Sequence, residues 1–505
     1  MRVRTGKAAP AFYVTCEREE QTSMVTESTS SSQRQTVRPE EAVELLTHLP
    51  DLEQALAFYH QHLAPETAID LSVAENVLVY QDSMQKLVFD YTRLLPEQYI
   101  NYFSPYGTPA LRRQVAELLT RAFGATVAAD DVFGTAGVAS ALECLAFALK
   151  DKPRSSESGP PPLVDGDAVL LPAPFWQGFN WSFEQRPKLT CVPVNLPTSG
   201  PKRFQLTLDL IKDQYEATRK RTGKAPRLLV LTNPHNPLGV NYPKELLEQI
   251  YAWALDHTDM HIVSDEIYCH SQLPKTTVPF TSAVALSAYT KSPERVHVVW
   301  GFAKDFGLSG LRTGFLVSKY GPVQRAMLGT HDVAEKRHPM SWFTPFDSLK
   351  HFVIGAVLTT TVNGSSELYT TYAMKRYPGL LDASFTKVKA RLDANKIPYV
   401  HEPQSNAAQF FWLDLTGWLG KRPPKSGDDV SEVLPLKAHD LDPDEVFLFN
   451  YLAGPAAEVT LLPGGVMSCP APGFFRLCYT SRQPEEVCTA VDRVAKALGR
   501  LGNKG

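Results

Sequence analysis

The stretch VHVVWGFAKDFGLSGLRTG, residues 296–314, decides the reading of this chain. Its first half is a run of β-branched and aromatic residues, the pattern of a buried strand. Its second half is a glycine-rich loop that carries Lys304 and, eight residues on, Arg312. Apolar and small neighbours are expected to bury Lys304. A lysine stripped of water loses part of its preference for the charged form and becomes a nucleophile near neutral pH. Arg312 keeps its charge, and its planar fork suits a phosphate. A strand followed by a loop with one solvated lysine and one solvated arginine is the plainer alternative, and this segment alone does not decide between them.

Working outward, the same pattern recurs. AVLL (168–171) runs into PAPFWQGFNW, with Phe175, Trp176 and Phe179 just past the strand. RLLVLT (227–232) runs into NPHNPLG, and HIVSDEIY (261–268) ends on Asp265 and Tyr268. Helical patterns such as PKELLEQIYAWALDH separate these strands, so a mostly parallel α/β sheet is expected. In such sheets ligands bind outside the carboxyl ends of the strands. Here each of those ends carries a candidate polar or aromatic group.

Three further segments add candidates. VFGTAGVASALECLAFAL (132–149) reads as a strand, a turn of small residues and an apolar helix. The amides of Val138 and Ala139 at that helix start could hold a phosphate; close helix packing explains small residues equally well. IDLSVAENVLVY (69–80) places Glu75 in a turn, either against a substrate ammonium or simply as an acid at a helix start. Arg476 stands alone in the apolar strand GFFRLCYT (473–480) and calls for a carboxylate partner, whether a ligand's or a structural one.

Composition bounds the rest. The chain has 505 residues, a net charge of −3, 43% hydrophobic and 21% charged residues, so more than one domain and no global basic field for nucleic acid are expected. Seven cysteines without paired spacing suggest reduced thiols and no metal site. No apolar run is long enough for a membrane span, and a cytoplasmic protein is expected. Residues 1–38 read as a flexible Ser/Thr-rich leader. Residues 39–105 are assigned to a small domain, 106–360 to a large domain and 361–505 to the rest of the small one. In that last part a strand is expected over 405–415, and a helix around 348–361 should cross between the domains.

Together NPHNPLG (233–239), SDEIY (264–268), KDFGLSGLRTG (304–314), AEN (74–76) and PGFFRLC (472–478) make the chain from about residue 40 to 500 resemble the fold-type I, pyridoxal 5′-phosphate (PLP) dependent enzymes of aminotransferase class I/II. It looks most like the 1-aminocyclopropane-1-carboxylate synthase branch. The resemblance implies a large PLP-binding domain with a mostly parallel sheet, a smaller α+β domain, an amino-acid substrate and a homodimer with shared active sites. It also implies roles. Lys304 would hold PLP covalently and serve as the base at Cα. Asp265 would face the pyridine nitrogen. Tyr268 and Asn236 would bond the ring 3′-oxygen, and Trp176 would stack on the ring. Arg312 with the Val138 and Ala139 amides would hold the phosphate. Arg476 would pair with the substrate carboxylate, and Glu75 would lie near the substrate. Gly301 and Ala303 stand where the family usually has serine, and Ala139 where it usually has threonine. Pro105 stands where that branch has a tyrosine reaching the neighbouring subunit, with Tyr102 and Tyr106 nearby. The implied chemistry is α,γ-elimination or γ-substitution on an S-adenosylmethionine-type substrate, with transamination and a catalytically silent relative as rivals.

Overall fold

The computed structural model describes residues 59–60, 64–92, 96, 99, 104–151, 161–328, 346–423 and 441–502. The leader 1–38 and Tyr102 lie outside the described residues.

Thirteen strands form among the described residues. They are β1 (Ile69–Asp70), β2 (Val132–Thr135), β3 (Ala168–Ala173), β4 (Thr190–Asn195), β5 (Leu228–Thr232), β6 (His261–Asp265), β7 (Val296–Gly301), β8 (Gly314–Ser318), β9 (Tyr399–Val400), β10 (Phe410–Asp414), β11 (Val459–Thr460), β12 (Leu462–Pro463) and β13 (Phe474–Cys478). Seven of them build one sheet in the order β2-β8-β7-β6-β5-β3-β4. β8 alone runs antiparallel to its neighbours. β5, β6 and β7 are buried along their whole length, as a sheet covered on both faces requires. Their register sets Thr232 beside Asp265, Asp265 beside Val299, and Gly301 beside Gly314. The strand ends with candidate polar groups are therefore neighbours in space.

Two strands of this sheet were not anticipated. β4 contains Pro193, which reads as a breaker, and it survives because it is an edge strand whose proline faces no second partner. β8 is five residues long and follows the glycine-rich loop directly, so it reads as part of that loop.

The helix Pro109–Phe123 opens as its sequence indicates. Thr108 caps it by accepting from Leu111 N at 3.3 Å, worth about 1 kcal/mol, and Pro109 takes the first helical position. The expected helix near 348–361 spans Ser348–Thr359, and the longest helix among the described residues is Tyr369–Ala394.

A second, antiparallel sheet has the order β12-β13-β10-β9. Arg476 sits in mid β13, opposite Trp412 and Leu462. The expected strand over 405–415 is only Phe410–Asp414. Ala408 adopts φ +58°, which breaks the extended run. Before that kink Asn406 and Ala407 form single bridges to Val240 and Gln272 instead. This segment thus ties the second sheet to the loops that leave β5 and β6.

Candidate functional site

The site forms where the loops after β5, β6 and β7 meet the turn at residues 72–76 and the strand β13. Lys304 is half-buried, not fully buried as expected. Its Nζ reaches the Ala74 carbonyl at 2.7 Å, and its own carbonyl accepts from Asn76 Nδ2 at 2.9 Å and Gln409 Nε2 at 3.2 Å. The AEN turn therefore grips the lysine from both ends, which explains why the amine stops at the mouth of the site.

Asp265 closes β6 and is 4% exposed. Burial pushes its carboxyl up to about 7, against the opposing effects of the Ile267 N–H and the Lys304 charge. A positive group placed beside it would favour the carboxylate again. Tyr268 is buried three residues on, and burial raises its phenol while the Arg476 charge opposes that rise. Its ring meets Phe410 edge to face at 5.3 Å.

Arg476 is 1% exposed. Nη1 donates to Asn236 Oδ1 at 2.9 Å and Nη2 to the Ser72 carbonyl at 2.5 Å. Its guanidinium lies 4.8 Å from the Phe410 ring centre, and Nε has no hydrogen-bond partner. Among the described residues no carboxylate pairs with it. A buried cation without a counter-ion costs several kcal/mol, so the site is built to receive an anion there.

The phosphate candidates also meet. Gly137, with φ +91°, precedes the helix Val138–Lys150, and no side chain caps that helix start. A Cβ on Gly137 would lie 3.0 Å from Arg312 Nη2, so the guanidinium rests directly over the free helix amides. Arg312 is solvent-open and adopts φ +48°, a left-handed conformation that costs a non-glycine residue about 1 kcal/mol or more. Its Nη1 donates to the Ser309 carbonyl at 3.2 Å. The Ser309 hydroxyl in turn donates to the Glu75 carboxylate, with oxygens at 2.7 and 2.8 Å. Glu75 is thereby fixed to the lysine loop.

Gly301 explains one departure from the resemblance. A Cβ there would sit 2.6 Å from the Thr313 carbonyl, so a serine cannot be seated without moving β8.

Ala74, Ile267, Tyr268, Ala408, Phe410 and Cys478 form the apolar wall, and Val138 packs on it. Lys304, Asp265, Tyr268, Asn236, Arg476 and Val138 are thus brought together. Trp176 is not tied to them by any ring contact. Its indole covers Gly178 and packs edge to face on Phe179 at 5.5 Å and Trp181 at 5.9 Å. Tyr106 turns toward Phe133 and Arg112 of its own chain. Asn76, Ser309, Gln409 and Phe410 were missed as site residues. Asn76 was legible in part, because a helix-capping asparagine has a spare amide. Cys269, His270 and Asp305 bring possible metal-ligating atoms within 4.8 Å of one another. The Asp305 oxygens already accept from the Ser271 hydroxyl and the His270 N–H, the arrangement of a carboxylate bracing a turn.

The family model for aminotransferase class I and II matches residues 66–494. The chain belongs to the aminotransferase class I and II family. A curated relative, the probable inactive 1-aminocyclopropane-1-carboxylate synthase-like protein 2 of Mus musculus, is 28% identical over 87% of this chain and 67% of its own length. The 1-aminocyclopropane-1-carboxylate synthase 6 of Arabidopsis thaliana is 25% identical over 88% of this chain and 80% of its own. Among solved structures, the aromatic aminotransferase from Pyrococcus horikoshii OT3 superposes with a TM-score of 0.64 at 20% identity, covering 86% of this chain and 96% of that one. The fold is fold-type I. Class I and II aminotransferases and their synthase relatives depend on PLP, and the residues here fit that cofactor. A glycine-lined helix start beneath Arg312 suits its phosphate, a buried carboxyl suits its ring nitrogen, and Lys304 suits its aldehyde. No helix among the described residues is long and apolar enough to cross a membrane.

Proposed function

We propose that this chain is a PLP-dependent enzyme acting on an L-amino acid through a Cα carbanion, with 1-aminocyclopropane-1-carboxylate synthase-like chemistry. The observation that carries the reading is Arg476. It is a buried guanidinium with no protein counter-ion among the described residues, bonded to Asn236 on the loop beside Asp265. A substrate α-carboxylate supplies the missing charge.

When bound, the cofactor supplies an electron sink for the carbanion. Lys304 would hold it covalently and, once displaced by the substrate amine, its Nζ would take the proton from Cα. Asp265 would keep a proton on the ring nitrogen. Tyr268 and the Nδ2 of Asn236 would donate to the ring oxygen, since Asn236 Oδ1 is committed to Arg476. Arg312 and the amides of Val138 and Ala139 would bind the phosphate. Trp176 would cover the ring. Glu75, oriented by Ser309, meets the substrate. The division into a large domain over 106–360 and a small one built from 39–105 and 361–505 is part of this proposal, as are the homodimer with shared sites and the cytoplasmic setting. The two sheets and the tie between them support the division.

The likeness to the synthases favours elimination or γ-substitution on an S-adenosylmethionine-type substrate. The absent hydroxyls at Gly301, Ala303 and Ala139 lean away from the synthases' standard activity and keep transamination as the second reading. The mouse relative's name favours a third, a silent homologue. Three incubations separate them. Methylthioadenosine release from S-adenosylmethionine without a 2-oxo acid selects the first. Pyridoxamine phosphate and a 2-oxo acid, formed from an amino acid and 2-oxoglutarate, select the second. A colourless protein that takes up no PLP selects the third.

A further inference from the structure

We propose that Gln409 is a positioning residue that locks the peptide following Lys304 from the second-sheet side of the molecule. The inference rests on the reading of Lys304 as the cofactor lysine.

Gln409 is fully buried, immediately before β10 and after the kink at Ala408. A buried primary amide is costly unless both its ends are bonded. Here Nε2 lies 3.2 Å from the Lys304 carbonyl, 2.8 Å from Tyr377 Oη and 3.3 Å from Ser271 Oγ. Oε1 lies 3.2 Å from the Thr480 hydroxyl. A carbonyl only accepts, so the nitrogen of Gln409 must face Lys304 and the amide has one allowed orientation. The bonds then close into a ring. Tyr377 Oη lies 2.8 Å from Ser271 Oγ, and Ser271 donates to Asp305 Oδ1 at 2.7 Å. Asp305 directly follows Lys304, so the ring starts and ends on the same peptide.

The members come from separate parts of the chain: the loop after β6, the lysine loop, the helix Tyr369–Ala394, and the approaches to β10 and beyond β13. The Lys304 carbonyl also accepts from Asn76 Nδ2 at 2.9 Å and from the Gly307 N–H of its own loop at 3.3 Å. With Asn76 and Gln409 both in place the carbonyl is tied to two segments outside the lysine loop, and the peptide cannot rotate without breaking one of these bonds. This fixes the direction in which the lysine side chain leaves the main chain toward Ala74. Gly307 belongs to the lysine loop and can turn with it, so without Gln409 the anchor of this carbonyl to another segment among the described residues is Asn76.

The test uses the holoenzyme and two variants, Gln409→Leu and Tyr377→Phe. Borohydride reduction with peptide mass analysis first places the cofactor on Lys304 in the wild type. The readouts are the pH titration of the visible cofactor band and the rate of cofactor release. Gln409→Leu is expected to move the titration midpoint by about half to one pH unit, the equivalent of one net hydrogen bond. Cofactor release should quicken about five- to tenfold. Tyr377→Phe keeps the aromatic side chain but removes the hydroxyl link, so it should give a smaller change of the same kind, and it carries the test if Gln409→Leu does not fold. A wild-type midpoint and release rate in whichever variants fold, even with a lowered melting temperature, would overturn the proposal and leave Gln409 an ordinary packing residue. If the wild type carries no cofactor on Lys304, the parent reading falls and this one with it, a result visible before any variant is made.

Discussion

At the N-terminal ends of β6 and β7, His261 and His297 lie parallel, 5.2 Å apart, with Nδ1 and Nε2 at 2.9 Å. His297 Nδ1 continues to Ser318 Oγ at 2.8 Å. Burial keeps both rings neutral and pushes His297 down to about 3. At the C-terminal ends of the same two strands, Asp265 and Lys304 face the opposite situation. There the groups are ionisable, close together and near Arg476, whose charge no carboxylate among the described residues answers. Both clusters are buried polar chemistry in one sheet. The first is satisfied and neutral, so it holds strands together. The second carries charge and an unmet donor, Arg476 Nε, so it waits for a partner. The state of the hydrogen bonds, more than burial or residue type, separates structure from function here.

Four substitutions test that contrast. Lys304→Ala should lower turnover by about a thousandfold or more and abolish borohydride-fixed cofactor in the intact mass, with the circular dichroism of the fold retained. Normal turnover would refute the assignment. Asp265→Asn should slow Cα proton exchange, followed by deuterium incorporation, by about a hundredfold or more, and a rate within a few-fold of wild type would remove its role. Arg476→Met should raise KM on the order of thirtyfold, in keeping with about 2 kcal/mol for a desolvated charge pair. Its melting temperature should stay within a few degrees, because a buried unpaired charge is deleted along with its bonds. A collapse in stability with unchanged KM would make Arg476 structural.

His297→Leu is the reverse case. It should cost about 1–3 kcal/mol of stability by stranding Ser318 and His261, with kcat/KM nearly unchanged. The pH dependence follows with a definite sign. A histidine held neutral in the folded chain, with an ordinary value of 6.5, lets the unfolded state bind more protons as pH falls below that value. Its contribution is full above 6.5 and is lost progressively toward about 3. Urea titrations between pH 7 and 5 should therefore show a shallower loss of stability in His297→Leu than in wild type. Asp265, raised by burial, acts in the opposite direction in both proteins and cancels in the difference.

Much of the sheet was legible because β5, β6 and β7 are short, largely apolar runs that lead into polar loops. β4 and β8 were not, since one carries a proline and the other merges with glycines. Lys304, Asp265 and Asn236 stood out because charged or amide groups at or just past strand ends are chemically conspicuous, and Arg476 because it is a lone charge inside an apolar strand. Gln409, Asn76 and Ser309 were not. Their partners lie 105, 228 and 234 positions away, and nothing local marks a side chain whose bond closes at such range.

Gly137, Gly301 and Gly314 have backbones so close that a methyl group on Gly301 or Gly314 would overlap main-chain atoms. Any attempt to engineer back a phosphate-binding hydroxyl thus has an unequal choice of positions. Gly301→Ser must prise two strands apart, whereas half-buried Ala303 is not subject to that constraint. The tight seam leaves Ala303 and Ala139, both half-buried, as the places where the affinity of this site for its vitamin could still be tuned.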